Sequence, residues 1–233
     1  MNSLRSPERR EFNEVRQHRN RPADMQGGAK KRNTFGYAER QLKRHMNMKK
    51  TIGIIGGMGP LATADLFRKI VTMTDAKCDQ EHPRVLIDSN TNIPDRTAAI
   101  LTGGENPLPQ LATSARTLER AGADVLMMPC NTAHYFYDGV CAATKLPVLH
   151  MLRLTAEEID RRKIKTVGLL ATDGTIQTGI YERLFGEHGV AVVKPDAAGQ
   201  KRVMALIYDG VKAGNAAFDT TTVRVVLDAM LAL

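Results

Sequence analysis

The sequence predicts an α/β protein built on parallel sheets, and two observations support this. Short β-branched runs alternate with helical stretches from Lys49 onward, and the strand candidates are apolar on both faces. Such strands are covered on both sides, as in a parallel sheet, and right-handed crossovers then give a doubly wound architecture. Ligands bind such sheets at the carboxyl ends of the strands.

The strands and helices follow one another along the chain. The strand candidates are TIGIIGG (51–57), RVLIDSN (84–90), ADVLMMPC (123–130), LPVLHM (146–151) and KTVGLLAT (165–172). Helical spacing of apolar residues marks LATADLFRKIVTMTD (61–75), LPQLATSARTLERAG (108–122) and TGIYERLFGEHG (178–189). A further helix begins at TTTVRVVLDAML (220–231).

An internal repeat indicates two related units. The stretch KTIGII (50–55) is echoed by KTVGLL (165–170) at an offset of 115 residues, and each copy runs into a glycine-containing turn. We therefore expect two tandem, pseudo-symmetric flavodoxin-like or Rossmann-like units, at 49–146 and 147–233. A cleft between two such units is a natural site for a small molecule.

The positive charge is concentrated at the N-terminus. The 233 residues carry a formal net charge of +8, but residues 1–48 hold 12 Lys/Arg and 5 Asp/Glu, which leaves 21 and 20 for the remainder. Residues 1–48 are polar and are expected to form a disordered basic leader. A solvated tail, or an extension upstream of a start at Met46 or Met48, explains them better than a nucleic-acid contact.

The composition excludes several other classes of protein. Three cysteines without regular spacing argue against a disulfide framework, and no Cys/His cluster has zinc-ligand spacing. No apolar run approaches a membrane span, and the N-terminus lacks the hydrophobic stretch of a secretory signal. A cytoplasmic protein without a membrane partner or a metal is expected.

The segment MMPCNTAH (127–134) is the strongest candidate for chemistry. Cys130 follows a predicted strand, and Asn131 and Thr132 are favourable N-cap residues. A thiolate at the start of a helix is stabilised by the helix dipole. The alternative is a buried, inert cysteine. His134 could act as a general base or serve only in packing.

The glycine-rich turn GGMGPLA (56–62) allows two interpretations. Gly57, Gly59 and Ala62 satisfy the spacing of a dinucleotide fingerprint, and Asp88 lies near the end of the next strand, which would suit a nicotinamide-dependent enzyme. Backbone amides at a helix N-terminus hold a carboxylate as readily as a phosphate, however. This signal is weak by itself.

Together, the motifs GIIGGMGPLAT, NIPDRT and PCNTAH resemble the aspartate/glutamate racemase family, and most closely its aspartate racemases. The similarity continues through PVLHM, LLATDGTIQTGIY and IYDGVKAGN. The resemblance implies a cofactor-independent racemase without pyridoxal phosphate, metal or nucleotide, in which two cysteines exchange the α-proton on opposite faces of the substrate. It also implies aspartate or a close acidic relative as substrate, and a homodimer if the fold is complete.

The resemblance also assigns roles to individual residues. Cys130 matches the first catalytic cysteine. Arg96 and Lys212 match cations that face the side-chain carboxylate of an acidic substrate, although a solvated loop pair with Asp95 and an exposed helix-end cation are the alternatives. The candidate substrate-binding residues are Gly57, Met58, Arg96, Asn131, Thr132, Thr172, Thr175 and Lys212, of which Asn131 and Thr132 match contacts to the amino-acid head group and Thr172 and Thr175 match carboxylate contacts.

One feature of the family pattern is absent. The family's second cysteine lies in a G-C-T-E motif, which this sequence lacks, and the repeat offset places that position about ten to fifteen residues beyond Leu233. Neither Cys78, in a polar connection, nor Cys141, on the stretch after Cys130, is placed to substitute for it. The expectation is an incomplete second unit and impaired racemisation. The alternatives are a non-catalytic racemase-like remnant that binds small carboxylates, and the nicotinamide-dependent enzyme.

Overall fold

The computed structural model describes residues 50–232, and the predicted basic leader at 1–48 lies outside them. Five of the described strands lie within the predicted strand segments, whereas β6 was not predicted. The strands are β1 (Ile52–Gly56), β2 (Val85–Ser89), β3 (Val125–Met127), β4 (Val148–Leu149), β5 (Thr166–Gly168) and β6 (Ala191–Val193).

Helices alternate with these strands, as predicted. They are α1 (Pro60–Met73), α2 (Arg96–Leu101), α3 (Leu108–Arg120), α4 (Tyr137–Ala142), α5 (Met151–Arg161), α6 (Asp173–Thr178), α7 (Ile180–Gly186), α8 (Ala197–Ala205) and α9 (Thr221–Leu231). Short 3₁₀ turns occur at Asp79–Glu81 and Thr132–Phe136, and α8 continues into a π-helical turn at Leu206–Lys212. Across residues 50–232, every helix is too short or too polar to cross a membrane.

Within the described residues, the strands form two parallel sheets, which confirms the predicted fold class. The first sheet has the order β2-β1-β3-β4, with Ile54 of β1 opposite both Ile87 and Met127. This is the flavodoxin-like order, in which β1 and β3 are neighbours. The second sheet pairs β5 with β6, with Val167 opposite Val192.

Each sheet has its own hydrophobic core. In the first, Leu111, Ala115 and Leu118 lie along one face of α3 and are buried with Ile55 and Leu126 of the strands. This spacing is that of an amphipathic helix packed on a sheet. The second core collects apolar residues of α5, of α7 and of the segment that follows β5, namely Leu152, Ala156, Leu169, Ile180, Leu184 and Phe185.

The change from one core to the other occurs at His150. Val148 and Leu149 still pair with β3 in the first sheet, whereas Leu152 and Ala156 of α5 belong to the second core. The predicted division at residue 146 thus falls just before the last strand of the first sheet. We use "first unit" for residues 50–150 and "second unit" for the residues from Met151 onward.

Candidate active site

The candidate site lies where the strand order of the first sheet reverses. The chain leaves β1 toward β2 and leaves β3 toward β4, so a crevice opens between the carboxyl ends of β1 and β3. Gly57 directly follows β1, and Cys130 follows β3 after Met128 and Pro129. The glycine-rich turn and the segment around Cys130 therefore meet at the position where open α/β sheets bind ligands.

The turn after β1 requires glycine at position 57. Gly57 has a φ of +88°, and a Cβ there would come within 2.4 Å of the backbone of Asn90. Its amide donates a hydrogen bond of 3.0 Å to Thr63 Oγ1. The backbone that approaches Gly57 closely is thus the protein's own, from the end of β2, and not an open surface prepared for a pyrophosphate.

Cys130 is buried, but 9% of its surface remains exposed to solvent. It belongs to the first core, as does the buried Met58 of the glycine-rich turn. The chain after Cys130 forms a 3₁₀ turn and not the predicted regular helix. Asn131 has helical dihedral angles and makes no cap hydrogen bond, so the prediction that Asn131 and Thr132 cap a helix was wrong.

Both polar side chains after Cys130 instead reach into the second unit. The hydroxyl of Thr132 lies 2.9 Å from the hydroxyl of Thr172 and 2.9 Å from that of Thr175. The Thr172 and Thr175 hydroxyls are 3.1 Å apart, which closes a buried triangle of three hydroxyl groups. Thr172 also caps α6 by accepting from the Thr175 amide, so the same residue begins the helix and joins the two units.

Asn131 makes a second link between the units. Its Oδ1 accepts a hydrogen bond of 2.9 Å from the hydroxyl of Tyr181 on α7. Burial raises the pKa of Tyr181 to about 12, so the hydroxyl stays protonated and remains a donor at neutral pH. Residues 130–132 are therefore held from both units.

His134 fixes the backbone of Cys130. Its Nε2 accepts from the Met151 amide at 3.2 Å, so Nδ1 carries the ring proton and donates to the Cys130 carbonyl at 2.9 Å. Burial lowers the pKa of His134 to about 4, which keeps the ring neutral. With both nitrogens engaged, His134 has no lone pair for a general base, and packing is the interpretation that fits.

Arg96 is buried at the start of α2. Its Nη1 donates to the carbonyls of Ile93 and Pro94 at 3.0 and 2.8 Å, and its Nε is buried without a hydrogen-bond partner among residues 50–232. A solvated loop pair would be exposed, so this alternative for Arg96 was wrong. A buried donor without an acceptor is costly, and an anion near Nε would satisfy it.

Lys212 reaches the same region from the second unit. Its Nζ lies 3.6 Å from Asp95 Oδ2 and 3.8 Å from the centre of the Tyr208 ring. The other Asp95 oxygen caps α2 by accepting from the Ala98 amide at 2.8 Å. Burial alone would raise the pKa of Asp95, but the Ala98 amide and the charges of Lys212 and Arg96 outweigh it and lower the pKa.

The sequence predictions did not include the partners that hold these residues. Three contacts join the two units: Asp95 with Lys212, Tyr181 with Asn131, and Tyr208 with Asp95. A signal existed only for Asp95, which precedes a helix as N-cap residues do. The two tyrosines are distant in sequence from their partners, and no local sequence pattern predicts such contacts.

The other cysteines lie apart from these contacts. Cys78 is exposed and precedes the 3₁₀ turn at Asp79–Glu81. Cys141 lies on α4 and packs against the first core. The chain between Cys130 and Cys141 is a 3₁₀ turn followed by a short helix and not one continuous helix.

Comparisons with known proteins place this arrangement in context. The sequence model of a family described as Asp/Glu/hydantoin racemases matches residues 55–233. A broad specificity amino-acid racemase of Bacillus subtilis (strain 168) is 30% identical over 158 residues, which are 62% of this chain and 64% of the relative. The chain thus spans less than two thirds of that relative's length.

Solved structures show the same fold. The aspartate racemase of Picrophilus torridus is 34% identical with a TM-score of 0.72, over 78% of this chain and 77% of that one. An aspartate racemase homologue from Pyrococcus horikoshii OT3 is 27% identical with a TM-score of 0.61, over 78% of this chain and 80% of that one.

Proposed function

Because the chain belongs to the Asp/Glu/hydantoin racemase family, we propose that it carries the site of a cofactor-independent amino-acid racemase with Cys130 as a proton-transfer group. The observation that carries the proposal is the position of Cys130. It follows β3 at the strand-order reversal, and the next two residues are hydrogen-bonded to the second unit. A substrate at that joint would contact both units.

The chemistry follows from the properties of a thiol. Racemisation breaks the bond between the α-carbon and its hydrogen and then restores it on the opposite face. Cysteine can act as base in its thiolate form and as acid in its thiol form near neutral pH. As proposed, the thiolate of Cys130 takes the α-proton, and a second acid delivers a proton to the other face of the carbanion. No pyridoxal phosphate, metal or nucleotide enters these steps.

The hydroxyl triangle and Asn131 would bind the head group of the amino acid. Hydroxyl groups can both donate and accept, so Thr132, Thr172 and Thr175 could turn from one another toward a carboxylate. Asn131 would offer its amide in the same place. Gly57 and Met58 would form the opposite wall, from the turn after β1.

Aspartate or a close acidic relative is the proposed substrate. The Nε of Arg96 is a buried donor without an acceptor among residues 50–232. Lys212 faces Asp95, the residue that precedes Arg96 in the sequence. A side-chain carboxylate would accept charge-assisted hydrogen bonds from both cations. Asp95 competes with that carboxylate for Lys212, so it would weaken the preference for acidic substrates. The relatives include both an aspartate racemase and a broad specificity enzyme.

Among the described residues, no second cysteine takes part in the hydrogen bonds of residues 130–132. Besides Cys130, the 233 residues contain only Cys78 and Cys141. We therefore expect this chain to exchange the α-proton on one face and to racemise aspartate only slowly. A cytoplasmic location and a homodimer stay predictions, and no specific observation favours the nicotinamide-dependent alternative.

Alkylation of the cysteines tests whether aspartate binds at Cys130. Iodoacetamide should label the exposed Cys78 at a rate that aspartate does not change, which provides an internal control. It should label the buried Cys130 more slowly, and saturating aspartate should slow this reaction further. Peptide mass spectrometry gives both rates from one sample. An unchanged Cys130 rate at saturating aspartate would contradict binding at this site.

A further inference from the structure

A cavity lies between the two units, outside the contacts described above. It has a volume of about 220 Å³ and is lined by the 3₁₀ turn and α4 of the first unit, by the start of α5, and by α6 and α7. Cys130, the three threonines of the hydroxyl triangle and Lys212 are not among its lining residues. Its ligand would therefore be bound separately from the substrate of Cys130.

Four solvent-exposed charged residues line this cavity without pairing. Arg153 and Arg183 contribute guanidinium groups, and Asp138 and Glu187 contribute carboxylates. Within residues 50–232, none of the four side chains forms an ion pair or a hydrogen bond. By contrast, Glu158 pairs with both Arg161 and Arg162 at 2.7 Å on the surface of α5. Two charges of each sign are thus available around one small space.

The remaining polar wall is electrically neutral. The rings of His134, Tyr137 and His150 are in mutual contact, with centroids 4.4 to 6.2 Å apart. Burial lowers the pKa of His134 to about 4, and burial together with the charge of Arg153 lowers that of His150. The formal charges of the cavity therefore cancel at neutral pH.

From this charge pattern we infer that the cavity binds a free zwitterionic α-amino acid with a small uncharged side chain. Its carboxylate would accept hydrogen bonds from Arg153 and Arg183, which suit planar carboxylates. Its ammonium group would face Asp138 and Glu187, and its side chain would lie against Ile180. An anion such as phosphate would leave the carboxylates of Asp138 and Glu187 without a positive partner. An acidic amino acid would bring a second carboxylate for which no cation remained.

The cavity is connected to Cys130 through His134. The ring of His134 lines the cavity, and its two nitrogens hold the Cys130 carbonyl and the Met151 amide. A ligand bound against this ring would change the setting of Cys130. The bound amino acid therefore acts as a regulator of the Cys130 site, and this consequence, unlike binding itself, rests on the proposed function.

Calorimetry with L-alanine tests the binding site. We expect one alanine per chain with a Kd of about 1 mM or tighter, and the same value for Cys130→Ala. Arg183→Ala and Glu187→Ala should each weaken binding about tenfold or more, whereas Arg161→Ala, an exposed arginine outside the cavity, should not. Acetate and methylammonium, which carry one charge each, should bind far more weakly than alanine.

Three results would overturn the site: absence of saturable alanine binding, binding that is insensitive to both Arg183 and Glu187, or acetate binding as tight as that of alanine. The connection to Cys130 has its own readout. Saturating alanine should change the iodoacetamide reaction rate of Cys130 in the unaltered chain, and Arg183→Ala should need about tenfold more alanine for the same change. Alanine binding with an unchanged rate would overturn regulation. None of these measurements requires racemase activity, so their failure can be told apart from a failure of the proposed function.

Discussion

The Thr132 hydroxyl lies 2.9 Å from the Thr172 hydroxyl, and this buried hydrogen bond joins the two units beside Cys130. Thr132 follows β3 in the first unit, and Thr172 follows β5 in the second. The carboxyl ends of strands from both sheets therefore meet at one place. Substitutions around this joint test separately how it is held together and what it binds.

Thr132→Val removes the central hydroxyl but keeps the shape of the side chain. Thr172 and Thr175 would retain their mutual hydrogen bond, while two buried hydrogen bonds to Thr132 would be lost. We expect the free energy of unfolding to fall by about 1–2 kcal/mol. The same substitution at the exposed Thr113 should change it by less than about 0.5 kcal/mol. Urea denaturation measures both, and equal effects would contradict a structural role for the triangle.

His134 should make stability depend on pH. Burial lowers its pKa to about 4 from 6.5, so the folded chain favours the neutral ring. The stability that this preference contributes is complete above about pH 6.5 and is lost as the pH falls toward 4. We expect a loss of about 2 kcal/mol between pH 7 and pH 5 through this residue.

Denaturant titrations at the two pH values, on the unaltered chain and two variants, isolate the effect of His134. His134→Gln should be less stable at pH 7 and should show a smaller loss on acidification. His188→Gln, at a partly exposed histidine, should keep the full loss. A pH dependence that survives in His134→Gln would assign it to other groups.

Gly57→Ala should be strongly destabilising. The residue has a φ of +88°, and the new methyl group would come within 2.4 Å of the Asn90 backbone. Strain and overpacking each cost about 1–3 kcal/mol, so we expect a loss of about 2–5 kcal/mol in thermal or urea unfolding. Gly186→Ala provides the control, because nothing lies within 4 Å of its Cβ position. It should be neutral or slightly stabilising.

Lys212→Gln should weaken aspartate binding. The substitution removes a charge-assisted contact and leaves Asp95 unopposed beside the proposed side-chain subsite. We expect the Kd for aspartate to rise about tenfold, or about 1.4 kcal/mol, in calorimetry. Asp95→Asn should act in the opposite direction, because asparagine keeps the cap of α2 but removes the competing charge. Equal affinities in all three chains would argue against this subsite.

Much of the fold could be predicted because its signals are local. The apolar runs of β1 to β5 and the spacing in α1, α3 and α7 mark these elements directly in the sequence. The short α2 and β6 have too few residues for periodicity to show, and neither was predicted. The 3₁₀ turn after Cys130 replaced a predicted helix because Asn131 and Thr132 bind partners in the second unit and not the adjacent amides.

The candidate site was predictable as a set of residues but not as a geometry. The sequence motifs identified both Arg96 and Lys212 as candidate substrate-binding residues. Nothing in the sequence indicates, however, that Asp95 lies 3.6 Å from Lys212. The partners of Thr132 are 40 and 43 positions away. Such contacts depend on how the two units pack, which is decided by the whole core and not by a short pattern.

Deuterium exchange at the α-carbon tests the central claim, that Cys130 transfers the α-proton of aspartate. Each aspartate enantiomer would be incubated in D₂O with this chain, with Cys130→Ala, with Cys141→Ala as the matched control, and with a version extended by a segment that carries the G-C-T-E motif. NMR and chiral chromatography would follow deuterium incorporation and inversion.

We expect slow exchange with little inversion from the chain and from Cys141→Ala, and none from Cys130→Ala. The extended version should show both exchange and racemisation, because a positioned acid or base contributes about 10²–10⁴-fold to such rates. Exchange that persists undiminished in Cys130→Ala, or its absence from the extended version, would contradict the assignment of Cys130.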